Sequence, residues 1–163
     1  MLTDRYLKLF QKALGGLDLT TFKQKGLELK AGVWLNSVAL KIQKSSWRND
    51  DDIPFQSAIF FSVWLNDETL SKNKLYYNIH ALKLRELNAY KLKSRDFADE
   101  FRKQFKQFED QWPNVSTAFG PLTLMEGWVS IDGSNLENQI QNLAQHLLNI
   151  DFIIDGLLER AKK

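Results

Sequence analysis

Hydrophobic positions recur at helical spacing in three segments of the chain. The first apolar stripe runs from Leu2 to Leu14, and Gly15 follows it as a stop signal. A second stripe over about residues 95–111 repeats Phe at spacings of three and four, and a third runs over about 134–161. These patterns predict an N-terminal helix, a Phe-rich middle helix and a long C-terminal helix.

Apolar and polar positions alternate in the segments between these helices, which is typical of strands. Residues 27–43 predict a hairpin or one long strand with a bulge, and residues 122–131 predict a last strand. The clearest strand pair is 56–66 and 75–84, which a polar stretch connects. Its odd-numbered positions are apolar and predict one core-facing side of the sheet: Ile59, Phe61, Val63, Leu65, Leu75, Tyr77, Ile79 and Ala81.

Short links between consecutive strands favour antiparallel pairing. We therefore expect an α+β fold with a single antiparallel sheet of about five strands. The N-terminal helix, the Phe-rich middle helix and the long C-terminal helix are expected to pack mainly on one face of this sheet. No segment rich in Pro, Gly and Ser divides the chain, so residues 1–163 are expected to form a single α+β domain.

The other side of the same strand pair carries aromatic and polar side chains together. If the hairpin closes symmetrically, Trp64 lies beside Tyr76 and Phe60 lies beside His80, with Asn78 between them. Aromatic rings supply contact area and a few polar groups fix a ligand's orientation, so these five residues form a candidate binding surface for a small ligand or a peptide. The alternative is that the Phe-rich helix packs over this surface and buries it.

The composition narrows the possible chemistry. The 163 residues are 44% hydrophobic and include no Cys and two His. The lack of Cys excludes disulfides, Cys-ligated zinc, iron–sulfur clusters and thiol nucleophiles, and two His are too few for a His-rich metal site. We therefore expect neither a metal nor a cofactor.

No segment indicates export or a membrane. The N-terminal residues lack the apolar core of a signal peptide, and the longest apolar run, about 57–65, is half the length that a membrane span needs. We therefore expect a soluble, cytoplasmic protein without a membrane partner.

Glu28 and Lys30 place a carboxylate and an ammonium on one side of a predicted strand, because they are two residues apart. This Glu-x-Lys pattern resembles the strand element of metal-dependent nucleases of the restriction-endonuclease-like class. The resemblance implies a Mg²⁺-dependent phosphodiesterase in which Glu28 holds the metal and Lys30 stabilises charge or positions the attacking water. That class normally supplies a second acid from an adjacent strand, and Asp18 is the only candidate nearby upstream.

A short basic run that includes an aromatic residue supplies candidate nucleic-acid contacts: Lys41, Lys44, Trp47 and Arg48. Basic side chains contact phosphates, and an aromatic ring can stack on a base. The net charge is only +2 and no RNA-binding aromatic signature accompanies the run, so we expect no nucleic-acid partner. The alternative is an exposed strand end whose Trp47 folds back onto the core.

The C-terminal stripe alternates spacings of four and three residues, close to a heptad pattern, and has further apolar positions off this seam. One side of the helix can then pack on the sheet while another meets a second copy, which predicts a homodimer through this helix. Because no catalytic motif stands out, the patterns together favour a non-catalytic binding or protein-interaction domain. The nuclease-like enzyme is the alternative hypothesis.

Overall fold

Five strands form one antiparallel sheet in which each strand pairs with its neighbours in the sequence. The computed structural model describes residues 3–163. The strands are β1 (Leu27–Trp34), β2 (Ser37–Lys44), β3 (Ala58–Leu65), β4 (Lys74–Leu82) and β5 (Thr123–Ser130). The predicted α+β class with a single antiparallel sheet is confirmed.

The helices precede, interrupt and follow this run of strands. They are α1 (Thr3–Gly15), α2 (Leu19–Gln24), α3 (Asp67–Ser71), α4 (Ser94–Phe105), α5 (Leu136–His146) and α6 (Asp151–Arg160). A 3₁₀ turn at Lys106–Gln111 extends α4, and another at Leu147–Asn149 joins α5 to α6, so the predicted C-terminal helix is long but bent. Leu2, the predicted start of the first stripe, lies outside the described residues.

One face of the sheet, called here the closed face, packs against α1, α4 and α5. All eight apolar side chains that the alternation in β3 and β4 predicted for the core are fully buried in it. The burial is continuous from Phe10 in α1 to Leu158 in α6. Within residues 3–163, no helix has the length and apolarity that crossing a bilayer requires.

The Phe-rich segment packs on the closed face through Trp112, which follows the 3₁₀ extension of α4. The ring of Trp112 lies 6.0 Å from Phe61, 5.2 Å from Tyr77 and 6.2 Å from Phe105, centroid to centroid. Phe61 and Tyr77 are core-facing residues of β3 and β4. The alternative that this helix covers the aromatic side of the hairpin is therefore wrong.

Both predicted hairpin regions form hairpins. In β3 and β4, Trp64 lies opposite Tyr76 and Phe60 lies opposite His80, as symmetric closure predicts. Residues 27–43 form the β1–β2 hairpin rather than one bulged strand. As a result β2 lies between β1 and β3, and its side chains are placed beside those of the predicted aromatic surface.

Candidate functional site

The open face is the side of the sheet that carries the aromatic surface, and its side chains form rows across the strands. The central row is polar and holds Lys41, Ser62, Asn78 and Glu126 on β2 to β5. Lys30 on the edge strand β1 continues it beyond Lys41. The next row is mainly aromatic: Ala39, Trp64, Tyr76 and Trp128. On the other side of the polar row, Phe60 lies opposite His80. Directly opposed residues lie about 5 Å apart, so the rows bring together polar groups that are distant in sequence.

A groove of about 350 Å³ lies on the open face. Four of the five residues predicted to bind a ligand line it: Phe60, Trp64, Asn78 and His80. The fifth, Tyr76, contacts the ring of Trp64, with centroids 5.1 Å apart. Residues that were not predicted for this surface also line it, among them Trp34, Lys41, Ser62 and Glu126. The open face is thus a concave surface with aromatic sides and a polar centre.

Lys41 places its ammonium group against aromatic rings in this groove. Its Nζ lies 4.3 Å from the ring centroid of Trp34 and 4.7 Å from that of Phe60, and it donates a hydrogen bond of 3.1 Å to the carbonyl oxygen of Phe55. No carboxylate among residues 3–163 pairs with it at ion-pair distance. Burial lowers the pKa of Lys41 to about 8, because water that would stabilise the charge is excluded.

His80 lines the groove beside Lys41 and Phe60. Its ring centroid lies 5.1 Å from that of Phe60. Burial lowers the pKa of His80, the positive charge of Lys41 lowers it further, and the backbone carbonyl of Leu122 opposes both effects. The imidazole is therefore neutral at neutral pH, and Lys41 supplies the positive charge at this end of the groove.

Two buried polar atoms in the residues that line the groove have no hydrogen-bond partner within the described chain. They are Nε1 of Trp64, a donor, and Oδ1 of Asn78, an acceptor. Asn78 is only 3% exposed, and its Nδ2 donates to Oε1 of Glu126 at 3.1 Å. Buried polar atoms in folded proteins almost always have a partner, so two exceptions in residues that line one groove are unusual, and a third, Nε of Arg48, lies outside it.

Glu28 and Lys30 do not belong to this groove. Glu28 pairs with Arg48, with 3.2 Å between Oε1 and the guanidinium, and Lys30 is exposed on the edge strand β1. Asp18 is the N-cap of α2 and accepts hydrogen bonds from Thr21. Across the part of the chain that the structure describes, no three His, Cys, Asp or Glu side chains are grouped to hold a metal ion. The geometry therefore adds nothing that favours the nuclease hypothesis.

The four candidate nucleic-acid contacts lie in different surroundings. Lys44 pairs with Asp155 and, at 3.0 Å, with Asp151. Trp47 is fully buried and its Nε1 donates to Asp155 at 2.9 Å, so its ring is not available for stacking on a base. Arg48 pairs with Glu28, and Lys41 lies in the groove. The structure does not bring these four side chains to one exposed surface.

Comparisons with known proteins give no basis for inferring a function, so the inference rests on the geometry of the structure. Neither protein-family models, nor curated protein sequences, nor solved structures gave a significant match to this chain.

Proposed function

We propose that this chain is a non-catalytic binding domain whose groove on the open face takes a small molecule with a flat apolar body. The observation that carries the proposal is the pair of unpartnered buried atoms, Nε1 of Trp64 and Oδ1 of Asn78, in residues that line a groove with aromatic sides. Binding sites for small molecules combine apolar and aromatic walls with a few placed polar groups, which is the composition of this groove.

The size of the groove favours a small molecule over a peptide. Pockets for small molecules measure roughly 300–1,000 Å³, and a volume of about 350 Å³ lies at the lower end of that range. The flat rings of Trp34 and Trp64 suit an aromatic or other planar body, because stacked and edge-on ring contacts add to the energy of burial.

Nuclear magnetic resonance titration tests this proposal, because the indole N–H of Trp64 has a well-separated resonance that a W64F variant assigns. The probes are indole-3-acetate, its neutral amide indole-3-acetamide, and the cation tryptamine. We expect at least one of them to shift the Trp64 indole resonance and the side-chain amide resonance of Asn78, because both groups line the groove.

A matched pair of variants shows whether the site of binding is the groove. Ser62 lies at the centre of the polar row and is 3% exposed, so Ser62→Leu fills the groove. Ser134 is exposed in the turn before α5, so Ser134→Leu adds the same side chain elsewhere. We expect S62L to weaken binding by about tenfold or more and S134L to leave it unchanged. If none of the three probes shifts the groove resonances of the unmodified protein, the proposal is overturned.

The homodimer through the C-terminal helix and the cytoplasmic location stay predictions. The seam residues of that helix are buried in the core of their own chain: Leu136, Ile140, Leu143, Leu147, Ile150, Ile154 and Leu157. Of the apolar side chains off the seam, Phe152 is 53% exposed and is the residue through which a second copy would pack. Light scattering at micromolar concentration tests the dimer, and a monomer there contradicts it. Cell fractionation tests the location.

A further inference from the structure

We infer that the ligand of the groove is a small organic anion with an apolar body and a hydrogen-bond donor at the end away from its charge. This inference rests on the proposed function and assigns the chemistry of its ligand. It follows from the order of the groups along the polar row of the open face, which runs Lys41, Ser62, Asn78, Glu126.

The end of the row at Lys41 favours an anionic group of the ligand. Lys41 is partly buried between the rings of Trp34 and Phe60, and it donates a hydrogen bond to a neutral carbonyl oxygen, that of Phe55. Within residues 3–163 no carboxylate pairs with its ammonium group. Contact with ring faces offsets only part of the cost of removing a cation from water. An anionic group of a ligand supplies the partner that Lys41 lacks.

The other end of the row, at Asn78 and Glu126, favours a hydrogen-bond donor of the ligand. Oδ1 of Asn78 is a buried acceptor without a partner, and the neighbouring Glu126 carboxylate adds negative charge. A second anionic group at this end is repelled, whereas an N–H or O–H group donates to Asn78. Lys41 and Glu126 are three strand spacings apart, or about 14 Å between backbones. A ligand of about ten heavy atoms therefore reaches from one end toward the other.

Indole-3-acetate is a probe with a carboxylate, a planar apolar ring and a ring N–H group that is separate from the carboxylate. Its amide, indole-3-acetamide, keeps the shape and loses the charge. Tryptamine carries a positive charge in place of the negative one. The three compounds therefore vary the charge that meets Lys41 and keep the indole ring and its N–H constant.

Isothermal titration calorimetry at pH 7 and low salt compares the three probes on the unmodified protein and on two variants. Lys41→Met removes the charge in the groove. Lys103→Met is the matched control, because Lys103 is an exposed lysine on α4, which packs on the closed face away from the groove. Thermal melts confirm that both variants fold.

We expect indole-3-acetate to bind the unmodified protein at least about tenfold more tightly than either other probe. We expect K41M to abolish this preference and K103M to retain it. If indole-3-acetamide binds as tightly as indole-3-acetate, or if tryptamine binds more tightly than both, the inference of an anionic ligand is overturned while the proposed binding function stands. If none of the probes binds, both the inference of an anionic ligand and the proposed binding function are overturned. The comparison of probes on the unmodified protein decides the question even if K41M does not fold.

Discussion

Lys41 and Lys44 lie three residues apart on β2, yet their surroundings are opposite in kind. Burial lowers the pKa of Lys44, but hydrogen bonds and charge from Asp155 and Asp151 outweigh it, so the net result is a raised pKa. Lys41 is partly buried and has no carboxylate partner in the described chain, so its pKa falls to about 8. Carboxylates of α6 pair with Lys44 on the closed face, whereas no carboxylate of the described chain pairs with Lys41 on the open face.

This difference separates a structural ion-pair cluster from the proposed binding groove. Asp151 is only 1% exposed and contacts both Lys44 at 3.0 Å and Lys25 at 2.8 Å. Asp155 links the same cluster to the indole of Trp47 at 2.9 Å. A cluster whose charges and donors are satisfied holds α6 against the sheet. The groove has the opposite property, because a cation, a donor and an acceptor all lack strong partners there.

The largest expected effect contrasts two adjacent phenylalanines of β3. Phe61 lies on the closed face and is fully buried between Tyr77 and Trp112, so Phe61→Ala is expected to lower the free energy of unfolding by about 3–5 kcal/mol. Phe60 is 4% exposed but lines the groove, so the space that its ring leaves is open to the groove on one side. Phe60→Ala is therefore expected to cost less, about 2–3 kcal/mol. Urea denaturation of both variants measures the difference, and equal losses contradict an open groove.

The second effect tests the paired lysine. Asp151→Ala leaves Lys44 and Lys25 without their buried partner, and we expect a loss of about 3 kcal/mol in the free energy of unfolding. Glu159→Gln is the control, since Glu159 pairs with Lys162 at the surface, where a charge pair contributes less than about 1 kcal/mol. A D151A variant as stable as E159Q, by the same urea titration, shows that the cluster does not hold α6.

The third effect is the pH dependence that Lys41 confers. Its pKa is about 8 in the folded chain and 10.5 as the ordinary value, so between these pH values the unfolded state binds more protons. Stability from this group therefore rises with pH over that window, by an amount on the order of 1 kcal/mol after allowing for partial exposure. Urea denaturation from pH 7.5 to 10 measures it, as the difference between the unmodified protein and K41M. A constant difference across that range contradicts an unpaired, partly buried Lys41.

The smallest expected effect concerns the nuclease hypothesis. Glu28 pairs with Arg48, and no metal-holding group of three acidic or His side chains is found within residues 3–163. We expect millimolar Mg²⁺ to leave the melting temperature of the unmodified protein and of Glu28→Gln unchanged within about 1 °C. A Mg²⁺-dependent rise that E28Q abolishes favours the nuclease hypothesis over the binding domain.

The two faces of β3 and β4 were predictable because strand alternation is local. Once the hairpin closes, the pairs Trp64 with Tyr76 and Phe60 with His80 follow from counting residues toward the turn. Whether Phe-rich α4 packs on one face or the other was not predictable, because both faces offered aromatic partners. The choice depends on the whole closed face, to which α1 and α5 also contribute.

The position of Lys41 in the groove was missed for a different reason. Its neighbours in sequence, Lys44 and Arg48, suggested one basic run, but alternation in β2 places Lys41 and Lys44 on opposite faces. That signal was present in the sequence. Glu126 and Trp34 could not have been assigned to the groove, because their place depends on the pairing of β5 with β4 and of β1 with β2. The pairing of β4 with β5 joins segments that are far apart in the chain, and for residues 27–43 the sequence left a hairpin and one bulged strand as alternatives.

The most direct test is the pKa of Lys41 with and without indole-3-acetate, followed through the ¹³C resonance of its ε-methylene and assigned by K41M. We expect a pKa of about 8 in the free protein. Saturating indole-3-acetate is expected to raise it well above 8, toward the ordinary value of 10.5, because the carboxylate stabilises the charged ammonium. A pKa that indole-3-acetate leaves unchanged at saturation would contradict the claim that this lysine is held unpaired for an anionic ligand.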